Sequence, residues 1–101
     1  MSGSSSSVAL VVVGGGNMGA ALVGGLLSSG AVAASDLAIV EVLPARREQL
    51  TTMFPGVAVV SEVPSCSSAV IAVKPQHVSE AVASATARGA RRVLSIAAGV
   101  T

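Results

Sequence analysis

A run of three glycines directly after an apolar segment constrains the fold of this chain more than any other feature. Residues 8–13 (VALVVV) are all apolar, which is typical of a strand buried on both faces of a parallel sheet. Residues 14–19 (GGGNMG) follow at once and fit the pattern G-x-G-x-x-G, and residues 18–29 are typical of a helix that Gly30 ends. A strand, a glycine-rich turn and a helix in this order predict a phosphate-binding βα unit.

The glycines of this turn have separate tasks in such a unit. Gly14 permits the tight turn, Gly16 lets the backbone approach a pyrophosphate, and Gly19 lets the helix pack against the strand. The helix N-terminus then presents free N–H groups and the positive end of its dipole to the phosphates. A second apolar run carries Glu41 near its end, about 20 residues after Gly19, where an acidic residue near a ribose hydroxyl is expected. We therefore predict that the chain binds a dinucleotide.

The sequence leaves the identity of the dinucleotide open. Glu41 favours NADH, because a carboxylate accepts a hydrogen bond from the ribose 2′-hydroxyl and repels a 2′-phosphate. Arg46 and Arg47 follow closely, and a nearby guanidinium favours NADPH because it pairs with that phosphate. In that case Glu41 would point away and Arg46 would reach the phosphate. The two arginines could equally form an ordinary solvated helix face.

Apolar strand-like segments alternate with helix-like segments along the rest of the chain. We predict strands at residues 8–13, 37–42, 57–60, 69–73 and 93–96, helices at residues 18–29, 44–53 and 76–87, and a short turn of helix or a loop at residues 61–67. This alternation predicts an α/β fold of the Rossmann type, an open and mostly parallel sheet with helices on both faces. Residues 1–7 form a disordered tail in this interpretation, and residues 8–101 form one nucleotide-binding domain.

The composition excludes several classes of protein. Only 11% of the residues are charged, the net charge is +1, and Phe54 is the single aromatic residue, so a nucleic-acid-binding surface is not expected. Cys66 is the only cysteine and His77 the only histidine, which excludes an internal disulfide framework and a Cys or His metal cluster. We expect Cys66 to be a buried structural thiol, His77 to be exposed early in a helix, and no metal to bind.

A membrane-spanning or signal segment is the alternative interpretation of the N-terminal region. No residue before Asp36 is charged, and residues 8–27 are long enough to span a bilayer, which takes about 20 apolar residues. Against this, the glycines interrupt the stretch in its middle, and no Lys or Arg flanks it. We therefore expect no membrane association and a cytoplasmic location.

Three blocks of the sequence resemble pyrroline-5-carboxylate reductase. Residues 13–19 (VGGGNMG), 72–76 (AVKPQ) and 95–101 (SIAAGVT) match the N-terminal domain of that family in order and spacing. The resemblance implies a domain that binds NADPH or NADH, with the first block on the pyrophosphate, the second along the cofactor and the third near the nicotinamide. The family reaction is hydride transfer to the C=N bond of 1-pyrroline-5-carboxylate, which yields L-proline. Together with the motif argument, the predicted cofactor-binding residues are Val13, Gly14, Gly15, Gly16, Asn17, Met18, Gly19, Glu41, Arg46, Ala72, Val73, Lys74, Pro75, Ile96, Ala97, Ala98 and Gly99.

Members of that family continue beyond this domain into a helical domain that forms a dimer and supplies most of the substrate site, whereas this chain stops at Thr101. We therefore assign no catalytic residue, and we expect this chain to be inactive alone and the longer form to be a homo-oligomer. A domain similar to F420-dependent NADP reductases and a non-catalytic nucleotide-binding module are the alternatives. The blocks around Lys74 and Ala97 favour the pyrroline-5-carboxylate reductase interpretation over these two alternatives.

Overall fold

A computed structural model describes residues 8–95 of the chain, so the expected tail and residues 96–101 lie outside the described part. Within it, apolar strands alternate with helices as predicted. The strands are β1 (Val8–Val13), β2 (Leu37–Val40), β3 (Ala58–Val60), β4 (Cys66–Ile71) and β5 (Arg92–Ser95), and the helices are α1 (Asn17–Ser29), α2 (Pro44–Met53) and α3 (Val78–Ala87). Short 3-10 turns occupy Ala34–Asp36 and Pro75–His77.

The strands form one sheet in the order β3-β2-β1-β4-β5. Every neighbouring pair is parallel. The chain moves outward from β1 through β2 to β3, then crosses back to place β4 on the other side of β1. This reversal creates a topological switch point between β1 and β4, and ligands of open α/β sheets bind outside the strand ends at such a point. The α/β fold with a parallel sheet is therefore confirmed.

Helices cover both faces of the sheet, which explains why the strands are continuous apolar runs. Val12 of β1 lies with Val23 of α1 and Leu50 of α2 on one face, while Val11 lies with Ala85 of α3 on the other. All five side chains are completely buried. Complete burial of a valine or leucine side chain stabilises a fold by about 1.5–3 kcal/mol. The core therefore consists of two apolar layers separated by the sheet.

The second strand is shorter than predicted. β2 ends at Val40 instead of residue 42, and Glu41 follows the strand. Val42 and Leu43 are 72% and 61% exposed, so no core contact extends the strand through them. Pro44 occupies the first turn of α2, where its missing N–H needs no partner.

The fourth strand is displaced toward the N-terminus relative to the prediction. β4 begins at Cys66 and ends at Ile71, whereas the apolar pattern predicted residues 69–73. Two serines conceal its start, yet Cys66 and Ser68 pair with β1 residues. Residues 61–65 form bends without a helix. Consequently the residues after Ile71 belong to the connection that leaves the sheet.

The third helix begins later than predicted. It starts at Val78 instead of residue 76, because the 3-10 turn Pro75–His77 precedes it and the His77 N–H donates to the Lys74 carbonyl over 2.8 Å. His77 is exposed, as expected. The other helices and strands agree with their predicted bounds to within one residue. No helix between residues 8 and 95 combines the length and apolar character needed to cross a membrane.

Candidate functional site

Three connections meet at the carboxyl edge of the sheet. The glycine-rich turn (residues 14–16) follows β1, the β2–α2 loop (residues 41–43) follows β2, and the β4–α3 segment (residues 72–77) follows β4. Because parallel strands end at the same edge, segments that are distant in sequence become neighbours there. The glycine-rich turn and the β4–α3 segment therefore flank the switch point.

The backbone conformation and the packing of the turn both require a glycine at its first position. Gly14 has a φ of +112°, a conformation that other residues rarely adopt. A Cβ added to Gly14 would also overlap the backbone carbonyl of Ala72. The Gly14 N–H donates to the Val40 carbonyl over 2.9 Å, and the Ala72 N–H donates to the Val13 carbonyl over 2.8 Å. The turn is therefore joined by backbone hydrogen bonds and close packing to the strands on both sides of β1.

The later glycines of the motif differ from one another in their surroundings. Gly19 is buried, and a Cβ there would overlap the carbonyl oxygen of Gly14, so the approach of α1 to the turn requires a glycine. Gly16 is exposed, has an ordinary φ of −73°, and a Cβ added to it would meet no atom within 4 Å. Neither the backbone conformation nor the described packing requires a glycine at this position.

The N-terminus of α1 is suited to an anion. Gly16 is the N-cap residue and offers no side-chain cap, and the first turn of the helix contains no acidic residue. Asn17 and Met18 are exposed beside it. The first N–H groups of a helix lack partners within the helix, and together with the dipole they attract negative charge. The exposed side of Gly16 and these N–H groups therefore lie together at the N-terminal end of α1.

Glu41 and Arg46 hold the middle glycine from two sides. The Gly15 N–H donates to Oε1 of Glu41 over 3.0 Å, and Oε2 of the same carboxylate accepts from the Leu43 N–H over 2.9 Å. Nε of Arg46 donates to the Gly15 carbonyl over 2.6 Å. A Cβ on Gly15 would lie 2.5 Å from Cδ1 of Leu50 and 2.9 Å from Oε1 of Glu41, so a side chain at this position would displace the ends of both.

A cleft of about 620 Å³ opens on the α3 side of the same edge. This volume is within the range of about 300–1,000 Å³ that is typical of small-molecule sites. The cleft has apolar walls and a polar rim, which is the arrangement that an aromatic ring with polar substituents needs. Its lining residues are Val13, Val40, Val42, Ser61, Glu62, Val63, Val73, His77, Glu80, Ala81, Ser84 and Arg88.

Comparison with known proteins identifies the family. Residues 9–99 match the family model described as NADP oxidoreductase coenzyme F420-dependent. The chain belongs to this family. The match includes the glycine-rich turn, the β4–α3 segment and all of the strand residues except Val8, so the chain is an NAD(P)-binding oxidoreductase domain and its cofactor is a nicotinamide dinucleotide. No curated protein matches the chain significantly.

The second arginine of this oxidoreductase domain supports the β2–α2 loop. Nη1 of Arg47 donates to the carbonyls of Glu41 and Val42 over 2.9 and 3.0 Å. Nη1 of Arg46 donates to Oε1 of Gln49 over 2.9 Å. Both arginines are half-buried. The interpretation of a merely solvated helix face is therefore wrong, because both guanidinium groups bind backbone carbonyls at the site.

The remaining predicted residues have different positions. Ala72 is buried, Val73 is half-buried, and Lys74 is exposed, all directly after β4. Pro75 begins the following 3-10 turn. The predicted nicotinamide residues Ile96, Ala97, Ala98 and Gly99 lie outside the described residues.

The single cysteine of the domain lies away from this edge. Cys66 begins β4 at the opposite end of the sheet and is 5% exposed. Burial raises the pKa of its thiol, which lowers the fraction of reactive thiolate. The prediction that Cys66 is a buried thiol is confirmed.

Sequence reasoning missed much of the cleft. Ser61 and Glu62 directly follow β3, and Glu80 and Ser84 lie on α3. The rule that ligands bind at the carboxyl ends of parallel strands could have pointed to the first pair. No comparable signal marks the α3 residues, because their place in the cleft depends on how the helix packs on the sheet.

Proposed function

We propose that the chain is the NAD(P)H-binding domain of a pyrroline-5-carboxylate reductase, in which hydride transfer reduces 1-pyrroline-5-carboxylate to L-proline. The family match supports an NAD(P)-dependent oxidoreductase. The finer assignment rests on the sequence blocks at residues 13–19, 72–76 and 95–101. The first two blocks follow β1 and β4, the two strands at the switch point.

The exposed position of Gly16 is the observation that carries cofactor binding. A Cβ on Gly14 or Gly19 would overlap a backbone carbonyl, and one on Gly15 would displace two side chains, whereas Gly16 has open space around it. Gly25 has equally open surroundings but lies inside α1, whereas Gly16 caps the N-terminus of that helix, where the lack of a side chain benefits an anion that approaches from outside. We therefore assign the pyrophosphate to Gly16 and to the N–H groups at the start of α1.

The proposed orientation of the cofactor follows from this contact. The adenosine half would lie toward the β2–α2 loop and the cleft walls around Val40 and Val63. Arg46, which binds the Gly15 carbonyl, would lie beside the ribose. The nicotinamide half would lie toward the β4–α3 segment. When bound, the nicotinamide supplies the hydride, and the imine nitrogen takes a proton as the C=N bond is reduced. This chain's residues would bind and orient the cofactor. The groups that bind the imine substrate would come from the helical domain that the resemblance implies.

A cofactor titration tests the binding proposal. NADPH and then NADH are titrated into the purified chain, and the fluorescence of the reduced nicotinamide is followed; the chain has no Trp or Tyr to interfere. We expect saturable binding that Gly16→Val weakens at least about tenfold, since the new side chain occupies the path of the pyrophosphate. Gly25→Val is the matched control, because Gly25 is an exposed glycine of α1 with equally open surroundings. Absence of saturable binding by the wild-type chain, or equal loss in both variants, would refute the proposal.

The choice of hydride acceptor needs a separate assay. The chain is mixed with NADPH and either 1-pyrroline-5-carboxylate or oxidised coenzyme F420, with and without an added helical domain of a pyrroline-5-carboxylate reductase. Loss of NADPH absorbance that requires the imine supports the reductase assignment. Loss that requires coenzyme F420 replaces it with the function named in the family description.

A further inference from the structure

We propose that Glu41 is a positioning residue of the glycine-rich turn and does not select between NADPH and NADH. The inference rests on the proposed dinucleotide function and concerns the same site. Motif spacing alone would assign this acidic residue to the ribose 2′-hydroxyl. Its hydrogen bonds to the backbone indicate the different role.

Both carboxylate oxygens of Glu41 bind backbone N–H groups. Oε1 accepts from Gly15 in the glycine-rich turn, and Oε2 accepts from Leu43 in the β2–α2 loop, over 3.0 and 2.9 Å. Hydrogen bonds to an ionised acceptor are about twice as strong as neutral ones. The carboxylate therefore connects the two loops that enclose the proposed adenosine site.

Arg46 completes this arrangement on the other side of Gly15. Its Nε binds the Gly15 carbonyl, so a carboxylate and a guanidinium fix the two peptide groups that flank one α-carbon. The same α-carbon faces Cδ1 of Leu50, which a side chain at this position would have to displace. Because Gly16 is the next residue, fixing Gly15 also fixes the direction of the backbone that the pyrophosphate would meet.

This geometry predicts how the role can be measured. A residue that recognises the ribose changes the ratio of the two cofactor affinities, because NADPH and NADH differ only at the 2′ position. A residue that fixes the conformation of the turn changes both affinities alike, since the pyrophosphate is common to both cofactors. The Glu41 carboxylate only accepts hydrogen bonds and would repel a 2′-phosphate if it faced one, so the two roles have opposite consequences for NADPH.

The decisive experiment compares Glu41→Gln and Glu41→Ala with Glu48→Gln. Glu48 is an exposed residue of α2, and its substitution removes the same charge without touching the turn. We expect both Glu41 variants to raise the dissociation constants of NADPH and NADH together, by about tenfold for alanine and less for glutamine, which keeps one acceptor. Glu48→Gln leaves both constants within about twofold. A fall in NADH affinity with unchanged or increased NADPH affinity would overturn the inference and indicate that Glu41 binds the ribose.

A second measurement needs no cofactor. Amide hydrogen exchange by NMR is recorded for the wild-type chain and both Glu41 variants, with circular dichroism as the check of folding. We expect exchange at Gly15 and Leu43 to accelerate at least about tenfold in Glu41→Ala, while core amides such as Val12 are unchanged. Unchanged exchange at Gly15 would overturn the positioning role even if the cofactor binds. Failure of the wild-type chain to bind either cofactor, with accelerated exchange in the variant, would instead refute the proposed function alone.

Discussion

The glycine-rich turn and the β4–α3 segment lie on opposite sides of the switch point but are held in different ways. Two charged side chains and a backbone hydrogen bond from Gly14 to Val40 of β2 fix the turn. Among residues 8–95, no side chain forms a hydrogen bond with the β4–α3 segment, which is attached to β1 through the Ala72 backbone N–H, while the His77 N–H bond to Lys74 is internal to the segment. The difference indicates that the domain itself fixes the conformation of the glycine-rich turn, whereas the β4–α3 segment receives less support from it.

Preorganisation of the turn has a direct consequence for binding. A loop that already has its bound geometry loses little conformational freedom when a ligand arrives, so more of the contact energy appears as affinity. A backbone carbonyl excludes a side chain at Gly14 and at Gly19, and a side chain at Gly15 would displace Leu50 and Glu41. These three glycines therefore contribute to the shape of the turn, whereas the shape of the turn does not require Gly16, the proposed pyrophosphate contact.

The largest effect should come from breaking the turn itself. Gly14→Ala places a Cβ against the Ala72 carbonyl at a positive φ. Left-handed backbone costs a non-glycine residue about 1–2 kcal/mol and overpacking about 1–3 kcal/mol more. We expect the free energy of unfolding in urea to fall by about 3 kcal/mol. Gly25→Ala should raise it slightly, because alanine favours a helix over glycine by about 1 kcal/mol. Equal free energies of unfolding for the two variants would show that the turn does not require a glycine at position 14.

The fold was predictable because a strand that is buried on both faces of the sheet, such as β1, is a continuous apolar run in the sequence. The position of the glycine-rich motif between such a run and a helix also predicts where the turn lies. The start of β4 was missed because Ser67 and Ser68 interrupt the apolar pattern, although the register with β1 includes Cys66 and Ser68. A pattern of hydrophobicity reports burial and not backbone pairing, so a polar strand end is invisible to it.

The charged part of the site was predictable only as a set of residues. Spacing identified Glu41 and Arg46, but it could not give the direction of either side chain. Both converge on Gly15, the variable position of the motif, whose contact with Leu50 exists only once α2 packs on the sheet. The role of a residue in a motif therefore depends on tertiary neighbours that the motif does not contain.

A smaller and more selective effect is expected from the guanidinium beside the turn. Arg46→Ala removes the bond to the Gly15 carbonyl, and with it a cation that we propose lies beside the ribose. We expect NADPH affinity to fall about tenfold more than NADH affinity, since a charge-assisted contact with phosphate is lost only for NADPH. Arg91→Ala, an exposed arginine before β5, is the control with the same charge change. Parallel loss for both cofactors would assign Arg46 to the turn alone, like Glu41.

The smallest effect should lie on the other side of the switch point. Lys74 is exposed and, within residues 8–95, its side chain has no hydrogen bond or ion pair that a substitution could remove. We expect Lys74→Ala to change the free energy of unfolding by no more than about 0.5 kcal/mol. Cofactor dissociation constants should change only about twofold to threefold, because an exposed lysine contributes a screened charge. If Lys74→Ala weakened binding as strongly as Arg46→Ala, a side chain of the β4–α3 segment would be part of the binding site, and the contrast between the two sides would fail.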